Sequence, residues 1–116
     1  MKYEKSIRPW GWHRVLIKIG EKAWIKVVFV KQGERLSLQS HEERIEIWIV
    51  LKGKVETLVN DKNRVLKPGG ILKINRKEKH RMGGIQNSYI LELAFGRPSE
   101  VDIIRYEDDY GRAEKL

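Results

Sequence analysis

The stretch Ile45-Glu46-Ile47-Trp48-Ile49-Val50-Leu51 places a single carboxylate inside an otherwise apolar, β-branched run. In an extended strand the odd-numbered residues point to one face, while Glu46, Trp48 and Val50 point to the other. Both faces are therefore largely apolar, which predicts a strand covered on both sides, one of them by another subunit. Glu46 requires a polar partner, because a carboxylate is rarely buried alone.

Similar strand patterns occur on both sides of this stretch. Each is short, is rich in β-branched or aromatic residues or alternates, and is bounded by Gly, Pro or Asn. They are Ala23–Lys31, Lys54–Val59, Arg64–Leu66, Gly70–Ile74, Lys79–Met82 and Ser88–Phe95. No long helical pattern accompanies them, so the sequence predicts an all-β sandwich or barrel.

Length and composition narrow the class of protein further. A chain of 116 residues fits one domain, and the lack of cysteine excludes disulfides, thiolate metal sites and a cysteine nucleophile. The apolar runs are far shorter than the roughly 20 residues of a membrane span, and residues 1–18 do not resemble a secretory signal. We therefore expect a cytoplasmic protein with no membrane partner.

The net charge of +8 is unevenly distributed, with basic residues concentrated in 52–81 and acidic residues near the C-terminus. The basic residues alternate with apolar ones, as on a solvated strand face. Without a nucleic-acid-binding motif or a stacking platform, we interpret this charge as solvation and expect no nucleic-acid partner. The abundance of Lys, Glu, Arg and Ile resembles the composition of thermophile proteins.

Four polar residues interrupt the apolar pattern and are candidate metal ligands. Gln39 and His41 lie two apart in an extended segment and share a face, Glu46 lies on the next strand, and His80 follows a later turn. A closed barrel could bring His80 across from Glu46. Two imidazoles, a carboxylate and an amide oxygen would then surround a divalent ion.

The pattern leaves a second interpretation open. His41 and His80 would then be surface histidines, and Glu46 would pair with Arg44 or Lys54. The spacing by itself does not decide between the two. His13 we interpret as an ordinary exposed histidine.

Several motifs resemble those of a known family. Residues 33–41, with Glu46 and Gly53, resemble the first cupin motif. More narrowly, the chain resembles the type II mannose-6-phosphate isomerase domain through Arg8-Pro9-Trp10-Gly11, Leu36-Ser37-Leu38-Gln39 with His41, Arg44, Glu46 and Trp48, His80-Arg81, and the ending Arg105-Tyr106-Glu107-Asp108-Asp109-Tyr110-Gly111-Arg112.

The resemblance implies a double-stranded β-helix, a jelly-roll-like barrel formed by one cupin domain over residues 1–116. We expect an N-terminal arm at 1–20, the barrel at 21–96 and a C-terminal extension at 97–116. The family's domain is often fused behind a mannose-1-phosphate guanylyltransferase. Here we expect it to stand alone, as a homodimer.

The resemblance also implies the ligand set, with one divalent ion held by Gln39, His41, Glu46 and His80. Zinc, iron, manganese, cobalt and nickel all suit such ligands. The second cupin motif departs from the family pattern, because Asn75 and Lys77 stand where a proline and a glycine are common.

The activity that the resemblance implies is aldose–ketose isomerisation of a sugar phosphate, interconverting mannose-6-phosphate and fructose-6-phosphate through an enediolate. The ion would act as a Lewis acid. Arg81 is the candidate catalytic contact and Arg112 the candidate phosphate contact, since a guanidinium matches phosphate oxygens. Arg112 could instead pair with Glu107 or Asp109. Trp48, on the face of Glu46, is a candidate for stacking on the sugar.

Three other functions remain open at this point. The chain could be a non-catalytic module that binds a metal and a sugar, or a cupin acting on another phosphorylated or nucleotide-linked sugar. The cupin resemblance alone also permits a metal-dependent oxygenase.

Overall fold

The polypeptide folds as a succession of short strands, in a computed structural model that describes residues 3–112. In chain order the strands are β1 (Ser6–Arg8), β2 (Gly11–Ile19), β3 (Ala23–Val30), β4 (Leu38–Ser40), β5 (Arg44–Lys52), β6 (Val55–Val59), β7 (Lys62–Leu66), β8 (Ile71–Ile74), β9 (His80–Gly84), β10 (Ser88–Gly96) and β11 (Ile104–Glu107). Residues 1–2 of the predicted arm and 113–116 of the predicted extension lie outside the described residues. Within residues 3–112, no helix is long and apolar enough to cross a membrane.

The strands form two antiparallel sheets. The six-stranded sheet has the order β1-β2-β3-β10-β5-β8 and the five-stranded sheet the order β11-β4-β9-β6-β7. Strand β10, late in the chain, lies between β3 and β5, so the chain crosses repeatedly from one sheet to the other. The prediction of an all-β, jelly-roll-like fold is confirmed.

Strands β3 and β5–β10 lie where the sequence predicted them, whereas β1, β2 and β11 were not predicted. Strand β2 falls in the predicted arm, yet it pairs along its length with β3 as part of the six-stranded sheet. Its alternation escapes detection because a register shift between Val15 and Ile17 exchanges the faces midway. Most of its C-terminal half is also exposed.

The core lies between the two sheets. On β5 the even-numbered residues from Arg44 to Val50 face inward and are buried, and the odd-numbered residues from Ile45 to Ile49 are only partly covered. The buried cluster consists of Trp10, Val28, Val30, Trp48, Val50, Val55, Leu72, Ile74, Met82 and Ile90. Beyond this apolar end, the inner face of the barrel becomes polar.

A glycine shapes the turn between β5 and β6. Gly53 has a φ of 92°, in the left-handed region that side chains other than glycine disfavour. A Cβ at this position would overlap Ser88 Oγ and the carbonyl oxygen of Asn87. Ser88 Oγ in turn accepts a hydrogen bond from the Lys54 backbone N–H at 2.9 Å. The turn therefore needs both a positive φ and a missing side chain.

Gly53 and Gly69 provide a matched test of that close approach. Gly69 has a similar φ of 89°, but no described atom lies within 4 Å of the place its Cβ would take. Gly69→Ala should cost only the backbone strain, about 1 kcal/mol. Gly53→Ala should cost roughly 1–3 kcal/mol more, because Ser88 must move. Urea unfolding of both variants measures the difference, and equal losses would contradict the role given to Ser88.

Candidate metal centre

Three buried side chains converge at the polar end of the barrel. The ligand atoms of His41, Glu46 and His80 all lie within 4.8 Å of one another, and the three residues are 2%, 1% and 1% exposed. Glu46 comes from β5 of the six-stranded sheet, and His80 comes from β9 of the five-stranded sheet. The expected approach of His80 to Glu46 is confirmed, and the interpretation of His41 and His80 as surface histidines is wrong.

Both imidazoles present the same nitrogen to the centre. Nδ1 of His41 is 2.7 Å from the carbonyl oxygen of Asp102, and Nδ1 of His80 is 2.8 Å from the carbonyl oxygen of Glu78. Because a carbonyl only accepts, each Nδ1 carries the proton and each Nε2 keeps its lone pair. Nε2 of His80 is buried and has no hydrogen-bond partner among the described residues. Such an orphaned acceptor suits a metal ligand.

Gln39 lies next to this group. It pairs with His80 across β4 and β9, and its Nε2 is 3.4 Å from His41 Nε2, as expected for two residues on one face. Its Oε1 accepts a hydrogen bond from the Ser37 hydroxyl at 2.7 Å. Exchanging the amide oxygen and nitrogen, a half-turn of the amide, would direct Oε1 towards the cluster and leave the amide N–H to Ser37.

The carboxylate of Glu46 is held from two sides. Arg44 Nε donates to Oε2 at 2.8 Å, and Trp48 Nε1 donates to Oε1 at 2.9 Å. Arg44 is thus the partner that the second interpretation named. Trp48 is 2% exposed, and its role in stacking on a sugar stays a prediction.

The donor set fits a divalent ion. Burial, followed by the nearby Arg44 guanidinium and by His80, lowers the pKa of His41 to about 3, so this imidazole is neutral at physiological pH. Two imidazoles, a carboxylate and an amide are ligands that zinc and other first-row divalent ions accept.

A segment between β10 and β11, residues 97–103, crosses the end of the barrel beside the centre; we call it the mouth segment. The Ser99 carbonyl accepts from Arg44 at 2.7 Å, and the Asp102 carbonyl accepts from His41 at 2.7 Å. The Asp102 carboxylate accepts from the backbone N–H groups of Glu42 and Glu43 at 2.9 Å each. Burial raises the pKa of Asp102, but these two bonds bring it below its usual range.

A cavity of about 100 Å³ opens beside the centre, with Gln39 in its wall. Two carboxylates line it, Glu92 and Glu100. Five cationic side chains also line it: Arg8, Lys26, Arg44, Arg105 and Arg112. An excess of positive charge in a small cavity favours an anionic ligand.

Buried Lys26 forms an ion pair in this cavity with Glu100, whose side chain is 54% exposed, and the sequence analysis missed this pair. Lys26 is 4% exposed, its Nζ lies 2.6 Å from Glu100 Oε1, and it sits 4.1 Å from the centre of the Trp24 ring. Burial raises the pKa of Glu100, and Lys26 lowers it to a value below the usual range. The signal was present, because Lys26 interrupts an inward-facing apolar series as Glu46 does.

His13 is not the exposed histidine that we expected. Its side chain is 12% exposed and it lines the same cavity. Burial, followed by the positive charge of Lys26, lowers its pKa to about 4. Its burial was not predicted, because β2 was not recognised as a strand of the sheet.

The two predicted arginine contacts lie in different places. Arg81 is adjacent to His80 on β9, so its side chain points to the opposite face of the sheet. There its Nε donates to the Leu36 carbonyl at 2.9 Å, and it shares Asp109 with Arg35. The structure does not bring Arg81 to the metal centre.

Arg112, by contrast, lines the cavity beside Gln39. Its partner is Asp108, with Nε 2.7 Å from Oδ2, rather than Glu107 or Asp109 as we had considered. Asp109 pairs with Arg35 at 2.6 Å. Two acidic residues near the C-terminus, Asp108 and Asp109, are therefore held in ion pairs.

The departure in the second motif has a visible consequence. Lys77 adopts a φ of 66°, in the left-handed region that glycine occupies without strain. Its backbone N–H donates to the His41 carbonyl at 2.7 Å. The loop before His80 therefore keeps a glycine-like backbone that is bonded to the first motif, although a lysine supplies it.

This architecture is shared with solved structures of low sequence identity. KdgF from Halomonas sp. superposes with a TM-score of 0.77 over 87% of this chain and 91% of that chain, at 17% identity. The Cnp3 cupin domain of Schizosaccharomyces pombe gives a TM-score of 0.68 over 75% of this chain and 64% of that chain, at 19% identity. The two-sheet barrel therefore has the cupin fold.

The family within the cupins follows from the sequence match. Residues 1–108 match the model of the family described as "Mannose-6-phosphate isomerase C-terminal", and the chain belongs to this family. Mannose-1-phosphate guanylyltransferase ManC of Salmonella typhimurium is 33% identical over 113 residues, which are 95% of this chain and 23% of ManC. The chain spans about a quarter of the length of the curated relatives it matches.

The three histidines of the chain allow a matched test of the centre. His41→Ala or His80→Ala removes one ligand and should lower metal affinity by at least about 10-fold. His13→Ala, in the same barrel but outside the cluster, should retain the wild-type metal content. Elemental analysis after dialysis measures the content. Unchanged metal in both the His41 and the His80 variants would contradict the assignment.

Proposed function

We propose that the chain is a metal-dependent aldose–ketose isomerase of sugar phosphates, which interconverts mannose-6-phosphate and fructose-6-phosphate through an enediolate. The observation that carries the proposal is the juxtaposition of the His41, Glu46 and His80 cluster with a cation-lined cavity. The family description names the same reaction, and a relative is a mannose-1-phosphate guanylyltransferase.

The reaction moves a carbonyl between C1 and C2 of the sugar and requires removal of a proton from the carbon beside that carbonyl. His41, Glu46, His80 and Gln39 would hold a divalent ion, which would supply a Lewis acid for the oxygens of the sugar. The Nδ1 of each histidine is hydrogen-bonded to a backbone carbonyl oxygen. This leaves Nε2 as the nitrogen that would bind the ion. Trp48 and Arg44 fix the orientation of the carboxylate of Glu46.

The phosphate of the substrate requires a cation at a fixed distance from the metal. Arg112 is the residue we assign to it, because it is half-buried in the cavity wall next to Gln39. Asp108 holds its guanidinium through Nε and one terminal nitrogen. That pair orients the guanidinium before the substrate binds. Arg81 lies on the other face of its sheet, so we assign it a structural role.

Turnover of mannose-6-phosphate by metal-stripped protein, measured in a coupled assay with and without zinc, manganese, cobalt or iron(II), tests the proposal. Activity should depend on added metal and be lost in His80→Ala. Arg112→Gln should raise KM roughly 10-fold or more, the loss expected for a charge-assisted hydrogen bond. Arg81→Gln should raise KM much less.

Failure of this assay has a defined meaning. No turnover with any metal, in protein that binds one, would contradict the isomerase and favour a sugar-binding module or a cupin for another phosphorylated or nucleotide-linked sugar. Metal-dependent oxygen uptake would favour an oxygenase instead.

We also propose that the chain forms a homodimer through the outer face of the six-stranded sheet. Its three central strands present only apolar side chains there: Ile25, Val27, Phe29, Ile45, Ile47, Ile49, Leu51, Tyr89, Leu91, Leu93 and Phe95. With strands about 4.8 Å apart and a rise of about 3.3 Å per residue, the face of these three strands covers roughly 400 Å² and that of the whole six-stranded sheet roughly 650 Å². The larger area is close to the roughly 800 Å² per partner of a stable interface.

A second copy fits this face because its central strands carry no charge there, so two chains of net charge +8 could meet without placing cations opposite one another. Light scattering on the protein as it elutes from a size-exclusion column should give twice the chain mass of 13.7 kDa. Leu93→Arg, at the centre of the face, should give the monomer. Val65→Arg, at a residue of β7 that is 54% exposed, should remain dimeric. A monomeric wild type would contradict the proposal.

A further inference from the structure

The guanidinium of Arg44 donates hydrogen bonds to two of the candidate ligand atoms. Its NH2 group lies 3.1 Å from His41 Nε2, and its Nε lies 2.8 Å from Glu46 Oε2. Those two atoms are 3.2 Å apart. With Nδ1 of His41 protonated, both atoms carry lone pairs, and such a contact is stable only with positive charge beside it. Arg44 supplies that charge.

Glu46 Oε2 and His41 Nε2 differ in whether they can accept from Arg44 and bind an ion at the same time. An oxygen of Glu46 has more than one lone pair and can accept from Arg44 while it binds an ion. Nε2 of His41 has a single lone pair, which either accepts the Arg44 N–H or binds the ion. Binding of an ion at His41 therefore requires that Arg44 release this nitrogen.

Arg44 has other contacts that it keeps after such a release. Its NH1 donates to the Ser99 carbonyl in the mouth segment at 2.7 Å, and its guanidinium lies 5.0 Å from the centre of the Trp24 ring. The residue is 6% exposed, so its charge stays close to the ion and opposes it in a medium of low polarity.

We propose that Arg44 is an internal counter-ion that competes with the metal for His41 and Glu46, an inference that rests on the proposed metal centre. It neutralises the buried carboxylate when the site is empty and lowers the affinity of the site when an ion arrives. We therefore expect an exchangeable site, in contrast to structural sites whose metal is required for folding.

Metal affinity measured by competition with a chromophoric chelator tests this, with zinc or manganese added to the metal-stripped full chain. Arg44→Gln keeps a hydrogen-bond donor for Glu46 and removes the charge, so it should bind the ion at least about 10-fold more tightly. Lys26→Gln removes another buried cation of the same cavity that touches Glu100 rather than a ligand. It should change the affinity less than about threefold.

Thermal unfolding gives a second readout of the same competition. Without metal, Arg44→Gln should melt below wild type, because the carboxylate of Glu46 loses its counter-ion. Saturating metal should raise its melting temperature more than that of wild type. If Arg44→Gln does not fold without metal, Arg44→Lys replaces it: a lysine keeps the charge on one nitrogen but lacks the planar fork of the guanidinium, so it should hold the two acceptors less firmly and its metal affinity should lie above that of wild type.

The outcomes separate this inference from the metal centre itself. A wild type that binds metal, with Arg44→Gln and Arg44→Lys that bind no more tightly, would overturn the competition and leave the centre intact. Absence of binding in wild type and in every variant would overturn the metal centre instead. Binding by Arg44→Gln but not by wild type would support the competition in its strongest form.

Discussion

The carboxylate of Glu46, 1% exposed between two sheets, imposes a requirement for positive charge on its surroundings. An unpaired carboxylate in such a place would cost several kcal/mol. Arg44 supplies the positive charge and Trp48 donates a second hydrogen bond, both from positions on β5 that the sheet fixes. The polar end of the barrel is organised around that single group, and the apolar end supplies the rigidity that holds it there.

The two sheets and the mouth segment each contribute residues to the site. The six-stranded sheet contributes Glu46 with its donors, the five-stranded sheet contributes Gln39 and His80, and Asp102 and Ser99 of the mouth segment hold His41 and Arg44. The Nδ1 atoms of both histidines are bonded to backbone carbonyls, which fixes the direction of each Nε2 towards the cluster. Its cationic cavity lies on the same side.

Adjacent positions in this chain have opposite surroundings, and strand geometry explains why. His80 faces the barrel interior and Arg81 the outside, because consecutive side chains on a strand alternate. The same rule puts Glu46 inside, whereas Ile45 and Ile47 contribute to the uncovered apolar face of the six-stranded sheet. One short strand thus carries both a ligand of the proposed metal centre and a surface proposed for a second copy.

The sequence by itself determined the all-β class, most of the strands and the residue types of the centre. Period-two apolar patterns and glycine-bounded turns are local, and a carboxylate or imidazole inside an apolar run is visible without coordinates. Strand β2 was missed because its bulge interrupts the alternation, and so was the burial of His13. Only the tertiary structure decided that His80 meets Glu46 across the barrel, that Arg112 rather than Arg81 lines the cavity, and that Lys26 pairs with Glu100. These contacts join residues distant in the chain, and their geometry depends on how the two sheets pack, which no local pattern encodes.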